Sequence, residues 1–197
     1  MRVLFLATRF PAPPWRGDQV RAYHHLRQLA PRHDITCCAL VLRPPAARDR
    51  AEIEAMGVRV HVVPLGWIGS LPPLARGVLG DRWPFQVLLY ARRQVKAWLD
   101  GFVAAGQFDV VHVQLARAAA YLPQGGPPVV IDLIDALSAN LVRRAAHGPT
   151  LAAPLLNWEA RRLHRLEDSL AARAPCLVVS AGEREALGKR DTIRVVP

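Results

Sequence analysis

Seven short, nearly unbroken apolar runs alternate with segments of helical length, and this alternation limits the fold more than any other feature of the chain. The runs cover residues 3–7, 35–42, 58–63, 110–113, 129–133, 176–179 and 193–196. Between them, residues 18–30, 46–56, 117–121, 138–147, 150–174 and 182–188 read as helices, and 67–105 has room for two more. Strands apolar on both faces are covered on both faces, and parallel strands need crossover connections that helices supply. The expected fold is therefore α/β, a Rossmann-like doubly wound parallel sheet of about seven strands. Pro-rich turns at 11–14, 44–45, 72–73 and 127–128 mark loops.

A length of 197 residues with 51% apolar composition suits one large domain. No run reaches the ~18 uninterrupted apolar residues of a membrane span; Arg59, His61, Pro64, Arg76 and Asp81 break up the most hydrophobic region. The opening MRVLFLATRF is too short for the apolar segment of a signal peptide and has no small-residue cleavage site, so it reads as a first strand. Cys37, Cys38 and Cys176 cannot make a disulfide framework and lack the paired spacing of a zinc site. Adjacent Cys37 and Cys38 point to opposite faces of a strand, as ordinary buried thiols. Reduced thiols fit a cytoplasmic location. The formal charge of +10 is almost all arginine, since Lys96 and Lys189 are the only lysines. Guanidinium forks suit phosphate and carboxylate partners. The basic residues are spread along the chain without a nucleic-acid-binding signature, so phosphate-bearing substrates or an anionic membrane surface are expected rather than nucleic acid.

Open α/β sheets bind ligands at the carboxyl ends of their strands, which selects three candidate segments. In the first loop, FPAPPWRGDQVR, Gly17 allows close backbone approach ahead of a helix whose first amides can receive an anion, and Arg9, Arg16 and Arg21 add charge. Asp18 reads either as the helix N-cap or as a group that binds a hydroxyl. The loop is not GxGxxG, so a dinucleotide fingerprint is absent. In FDVVHVQ, His112 and Gln114 fall at a strand's carboxyl end; His112 either titrates there or bonds a neighbouring carbonyl. In VVIDLIDALSAN, Asp132 and Asp135 leave another strand end, where a carboxylate can hold a sugar hydroxyl or stabilise positive charge on a sugar ring. The alternative is helix capping by Asp135 or Ser138.

Glu159 and Glu167, spaced E-x7-E in NWEARRLHRLEDSLAAR, fall within a long helical stretch. Pairing of Glu159 with Arg162 and of His164 with Asp168 predicts a solvated, salt-bridged face, and Leu155, Leu163, Leu166 and Leu170 supply the buried stripe. His24, His25, His61 and His147 share no metal-ligand spacing with nearby Cys, Asp or Glu, and no metal site is expected. No G-x-S-x-G elbow or Walker loop is present.

The loop FPAPPWRGDQVRAYHHLRQLAPRHDITCCAL, the strand FDVVHVQ, the segment VVIDLIDALSA, the helix WEARRLHRLEDSLAAR and the tail LVVSAGEREAL together resemble the N-terminal domain of a GT-B glycosyltransferase. The resemblance is to family 4 retaining transferases, particularly those of exosortase and exopolysaccharide systems. It covers essentially the whole chain and lies in the ordered series of segments. It implies an acceptor-side domain that works in a cleft with a second, donor-binding domain, so that residues 1–197 alone are inactive and hold no cofactor; the nucleotide-sugar donor is expected to bind mainly the second domain. Asp135 is the catalytic candidate, and Arg9, Arg16, Gly17, Asp18, Arg21, His112, Gln114, Asp132, Ser138 and Ser180 are cleft candidates. The acceptor is expected to be a carbohydrate or lipid-linked, with the enzyme cytoplasmic and peripheral on the inner membrane face.

Three features depart from or extend the family pattern. Gly17-Asp18 stands where relatives often carry a Gly-Gly pair, and Ile134 stands where many place a histidine. In the acceptor region, Trp67, Trp83, Phe85, Tyr90 and Trp98 mix with Arg76, Arg82, Arg92, Arg93 and Lys96, a composition that suits either a membrane interface or two ordinary amphipathic helices. Other readings of the chain are half of a GT-B-shaped nucleotide-sugar epimerase, or a non-catalytic module that binds phosphate or anionic lipid.

Overall fold

The computed structural model describes residues 1–66, 83–147 and 150–197. Its seven strands are β1 (Arg2–Ala7), β2 (Asp34–Val41), β3 (Arg59–Pro64), β4 (Val110–Gln114), β5 (Val129–Ile134), β6 (Cys176–Val178) and β7 (Ile193–Val195). They form one all-parallel sheet in the order β3-β2-β1-β4-β5-β6-β7. The expected Rossmann-like architecture is the observed one. The chain leaves β1 toward one edge and returns to β4 on β1's other side, so the topological switch lies between β1 and β4.

The helices among the described residues are α1 (Gly17–Leu29), α2 (Ala47–Glu54), α3 (Phe85–Leu88), α4 (Arg93–Ala104), α5 (Leu137–His147), α6 (Ala153–Arg173) and α7 (Ala181–Ala186). Strand alternation sorts the core into layers. Phe5, Ala7, Ile35 and Cys37 pack under α1 and α2 against Ala22, Leu26 and Ile53. Leu4, Leu6, Cys38 and Val111 face the other way, against Leu99 of α4. Cys37 and Cys38 thus fall in different layers, and burial pushes both thiols upward, Cys38 to about 12. Ile131, Leu133, Cys176 and Val178 carry α5 and α6 through Leu141, Leu163 and Leu170.

Several local expectations are corrected. Residues 117–121 belong to a 3-10 turn, Ala116–Tyr121, and the 150–174 stretch begins with a second 3-10 turn, Thr150–Ala152, before α6. Glu159 and Glu167 are buried, not solvated, because α6 is covered on more than one side. Glu159 accepts from the Gln86 amide and lies 3.6 Å from Arg162, whose guanidinium lies over the neighbouring rings of Phe85 and Trp158. Asp168 pairs with Arg190 across to the β7 approach rather than with His164. Leu155, expected in the buried stripe, is exposed near the start of α6. Trp67, Arg76 and Arg82 of the acceptor region lie outside the described residues; Tyr90 is core, Trp98 is exposed beside His61 and Phe102, and Arg92 bonds backbone carbonyls. None of the described helices is long and apolar enough to cross a membrane.

The burial difference along α6 gives a direct check. Leu163→Ala, at a fully buried position, is expected to cost about 2–5 kcal/mol in urea unfolding, whereas Leu155→Ala stays within about 0.5 kcal/mol.

Candidate functional site

A cleft of about 860 Å³ opens at the carboxyl ends of β1, β4, β5 and β6, beside the switch point. Its walls come from the β1–α1 loop, α1, the residues after β4 and β5, and Val179 and Val196 beyond β6 and β7. Arg9, Arg16, Gly17, Asp18, Arg21 and Asp135 all line it, as do His24, His25 and Arg117, which the sequence reading did not select. Asp18 is not the N-cap: Arg16 holds that position without a side-chain bond, and Asp18 sits in the first turn, where its carboxylate pairs with Arg9 at 2.6 Å. An acidic group there complements the helix dipole as well as the guanidinium.

Beneath the cleft floor lies a buried polar cluster. Asp132 on β5 is fully buried, and its Oδ2 accepts from Arg21 Nε at 2.6 Å. Arg21 also donates through Nη1 to the Val196 carbonyl, joining α1 to the strand-end segment after β7. His25 Nδ1 stands 3.6 Å from the same Oδ2 and His112 Nε2 3.9 Å from it. Arg21 and His25 are four residues apart on α1, so both side chains fall on the face that covers the sheet. His112 stacks on Phe5 at 4.5 Å between ring centres and meets His25 edge-on at 5.7 Å. Burial is the main cause that holds His112 neutral, its pKa pushed down to about 3, with the charges of His25 and Arg21 adding to it. His25 is lowered chiefly by burial, against the attraction of Asp132. No ligand spacing in the sequence joins His25, His112 and Asp132; three separate elements bring their ligand atoms within 4.8 Å. The Arg21 guanidinium already occupies the carboxylate oxygen that faces both rings, supplying the positive charge there.

Gln114 is also buried, donating from Nε2 to the Asp18 carbonyl and so fixing the start of α1 over β4. Ser138 neither caps a helix nor faces the cleft: its hydroxyl donates to buried Glu167 at 2.5 Å, and its amide donates to the same carboxylate. Ser180 is exposed, caps α7 by accepting from the Glu183 amide, and is not among the cleft-lining residues. The cap function expected of Asp135 falls to Glu167, which accepts from the Ser138 amide in the first turn of α5, while Glu183 accepts from the Ala136 amide just before the helix at 2.6 Å.

Asp135 owes its place to the end of β5. The pairing of β5 with β6 skips Leu133, a bulge between Asp132 and Ile134. Ile134 then takes φ 64°, with the Asp135 amide donating to the Leu133 carbonyl at 2.7 Å. This is the strained form of the γ-turn, rare for any residue and costly for a β-branched one. Leu115, at the matching end of β4, also has positive φ, 68°. Two non-glycine outliers at adjacent strand ends, both lining one cleft, place backbone strain where ligands of this fold class bind. Burial, with the neighbouring charge of Glu183, raises the Asp135 pKa.

In comparisons with known proteins, no family model and no curated sequence matches this chain.

Two buried groups give opposite pH dependences. His112, near 3 when folded against 6.5 unfolded, destabilises the fold progressively as pH falls from about 6.5 toward 3, because only the unfolded chain takes up the proton. Glu167, raised by burial to about 7 from 4.5, does the reverse: the folded state protonates first, so stability rises as pH falls from about 7 to 4.5. Glu167→Gln is therefore expected to gain stability over the parent above about pH 7 and to lose that advantage below about 4.5, as read from denaturant midpoints across the pH range. Separately, Asp132→Asn strands the Arg21 charge and is expected to cost about 3–5 kcal/mol.

Proposed function

We propose that this domain forms the acceptor side of a glycosyltransferase, shaping a cleft in which a hydroxyl of a carbohydrate or lipid-linked acceptor meets a sugar delivered by a nucleotide donor. The supporting observation is the single cleft that gathers Arg9, Arg16, Arg21 and Arg117 with Asp18 and Asp135 at the switch point of an open parallel sheet. Guanidinium groups suit a phosphate-bearing ligand, and carboxylates suit hydroxyls and developing positive charge. The resemblance of the ordered sequence segments to retaining family 4 transferases points the same way, and supplies the expectation of a second, donor-binding domain. The exopolysaccharide role and peripheral contact with an anionic membrane belong to the same reading.

In this cleft Asp135 is the group best set to interact with the reacting sugar. Its carboxyl is half-buried and held at the end of a strained turn. A carboxylate in that position stabilises an oxocarbenium-like centre electrostatically or holds a hydroxyl that orients the ring. Arg16 and Arg117 are placed to take a phosphate, Arg117 being steadied by the Gln86 side chain at 2.9 Å.

The test is glycosyl transfer by the complete gene product, using a panel of nucleoside-diphosphate sugars with carbohydrate and lipid-linked acceptors. Asp135→Asn is expected to lower kcat by roughly 10²-fold or more with little change in KM, as befits an interaction made mainly in the transition state. Full activity in that variant would remove Asp135 from the reaction. Absence of transfer from every donor, together with saturable binding of phosphate or anionic vesicles, would replace the enzyme reading with that of a binding module.

A further inference from the structure

The cleft contains a group that neither the carboxylate chemistry nor the arginines account for. His25 projects from α1 so that its ring lines the cleft while Nδ1 is buried against Asp132, 3.6 Å from Oδ2. Among the described residues Nδ1 has no hydrogen-bond partner within the usual distance limit, nor has Asp132 Oδ1, although both atoms are shut off from solvent. Buried polar atoms left in such proximity are paired when the side chains settle against one another, and catalytic hydrogen bonds are often long until a ligand closes the site. The surrounding groups restrict the ring. His112 meets it edge-on, and Arg21 pins the carboxylate by an ion pair of 2.6 Å. The titratable and charged groups facing His25 are Asp132 from β5, His112 from β4, and Arg21 and His24 from its own helix.

We propose that His25 is the proton acceptor of this cleft, held by Asp132 in the tautomer that carries hydrogen on Nδ1 and leaves the Nε2 lone pair to a substrate hydroxyl. The dyad stands on geometry alone; the identity of the hydroxyl, that of a sugar acceptor, rests on the glycosyl-transfer reading. In the step, Nε2 takes the hydroxyl proton as the oxygen forms its bond to an oxocarbenium-like anomeric carbon on the same face that the leaving phosphate departs from, so that configuration is retained. The bond from that carbon to the phosphate oxygen breaks, and the nucleoside diphosphate departs with the electron pair. Asp132 stabilises the imidazolium so formed, while Arg21 on the same carboxylate limits its lifetime and favours return of the proton to solvent. Asp132 is thus a positioning residue, because it acts through His25.

The first experiment needs no substrate. Long-range proton–nitrogen correlation spectra of the 197-residue protein, with His25 assigned by loss of its signals in His25→Gln, report which ring nitrogen is protonated. The expected result near neutral pH is hydrogen on Nδ1 and a bare Nε2; the opposite tautomer would overturn the dyad. So would stoichiometric Zn²⁺ binding that is lost in both His25→Gln and His112→Gln, since the two rings and Asp132 would then be metal ligands. The second experiment uses the complete gene product. His25→Gln is expected to lower kcat about 10²–10⁴-fold, the usual contribution of a general base, with KM little changed and the acidic limb of the pH profile removed. An unchanged kcat would overturn the role. If no nucleotide sugar is turned over by the parent, the glycosyl-transfer reading falls, and the tautomer still decides whether the dyad exists.

Discussion

The ion pair between Arg21 and Asp132 organises the molecule. It joins the first helix to the centre of the sheet across 111 residues and, through the Val196 carbonyl, to the segment after the last strand. A fully buried carboxylate is tolerated only with a partner, and a buried guanidinium only with acceptors. The pair therefore fixes the seating of α1 on β4 and β5, and with it the cleft residues that α1 and its preceding loop supply: Arg16, Gly17, Asp18 and His25. Gln114 adds a second tie from β4 to the Asp18 carbonyl.

A second constraint acts at the strand ends. Between Asp132 and Asp135 the chain passes through a bulge and a γ-turn with positive φ at Ile134, so the two carboxylates, three residues apart, reach different surroundings. One is locked into the core under α1; the other emerges beside Glu183 and Arg143. Local strain at Ile134 and Leu115 persists because packed strands on either side leave the backbone little alternative. Buried Glu167, bonded to the hydroxyl and amide of Ser138, secures the start of α5 just beyond that turn.

The sheet was legible in the sequence because each of its strands is a short apolar run, and burial on both faces leaves that mark whatever the tertiary details. The positions of Arg9, Arg16, Gly17, Asp18, Arg21 and Asp135 followed from strand-end logic alone, since strands read in parallel put all their carboxyl ends on one side. What escaped notice was set by contacts distant in sequence. His25 carried a local signal, four residues after Arg21 on one helix face, but its partner Asp132 is 107 positions away. Of the helical pairs inferred along α6, Glu159 with Arg162 forms, but the solvated face does not, because a second layer of contacts, from Gln86 and Ser138, buries Glu159 and Glu167. Spacing rules describe what a helix offers and are silent on what comes to cover it.

The Arg21–Val196 hydrogen bond spans 175 residues, and Val196 and Pro197 stand in the cleft wall opposite the loop that follows β1. Residues of the first loop and of the segment after β7 line one pocket, so the cleft exists only while that segment is seated against α1. A ligand that needs the closed cleft therefore holds β7 in place by mass action, coupling occupancy of the site to the fraying of that strand.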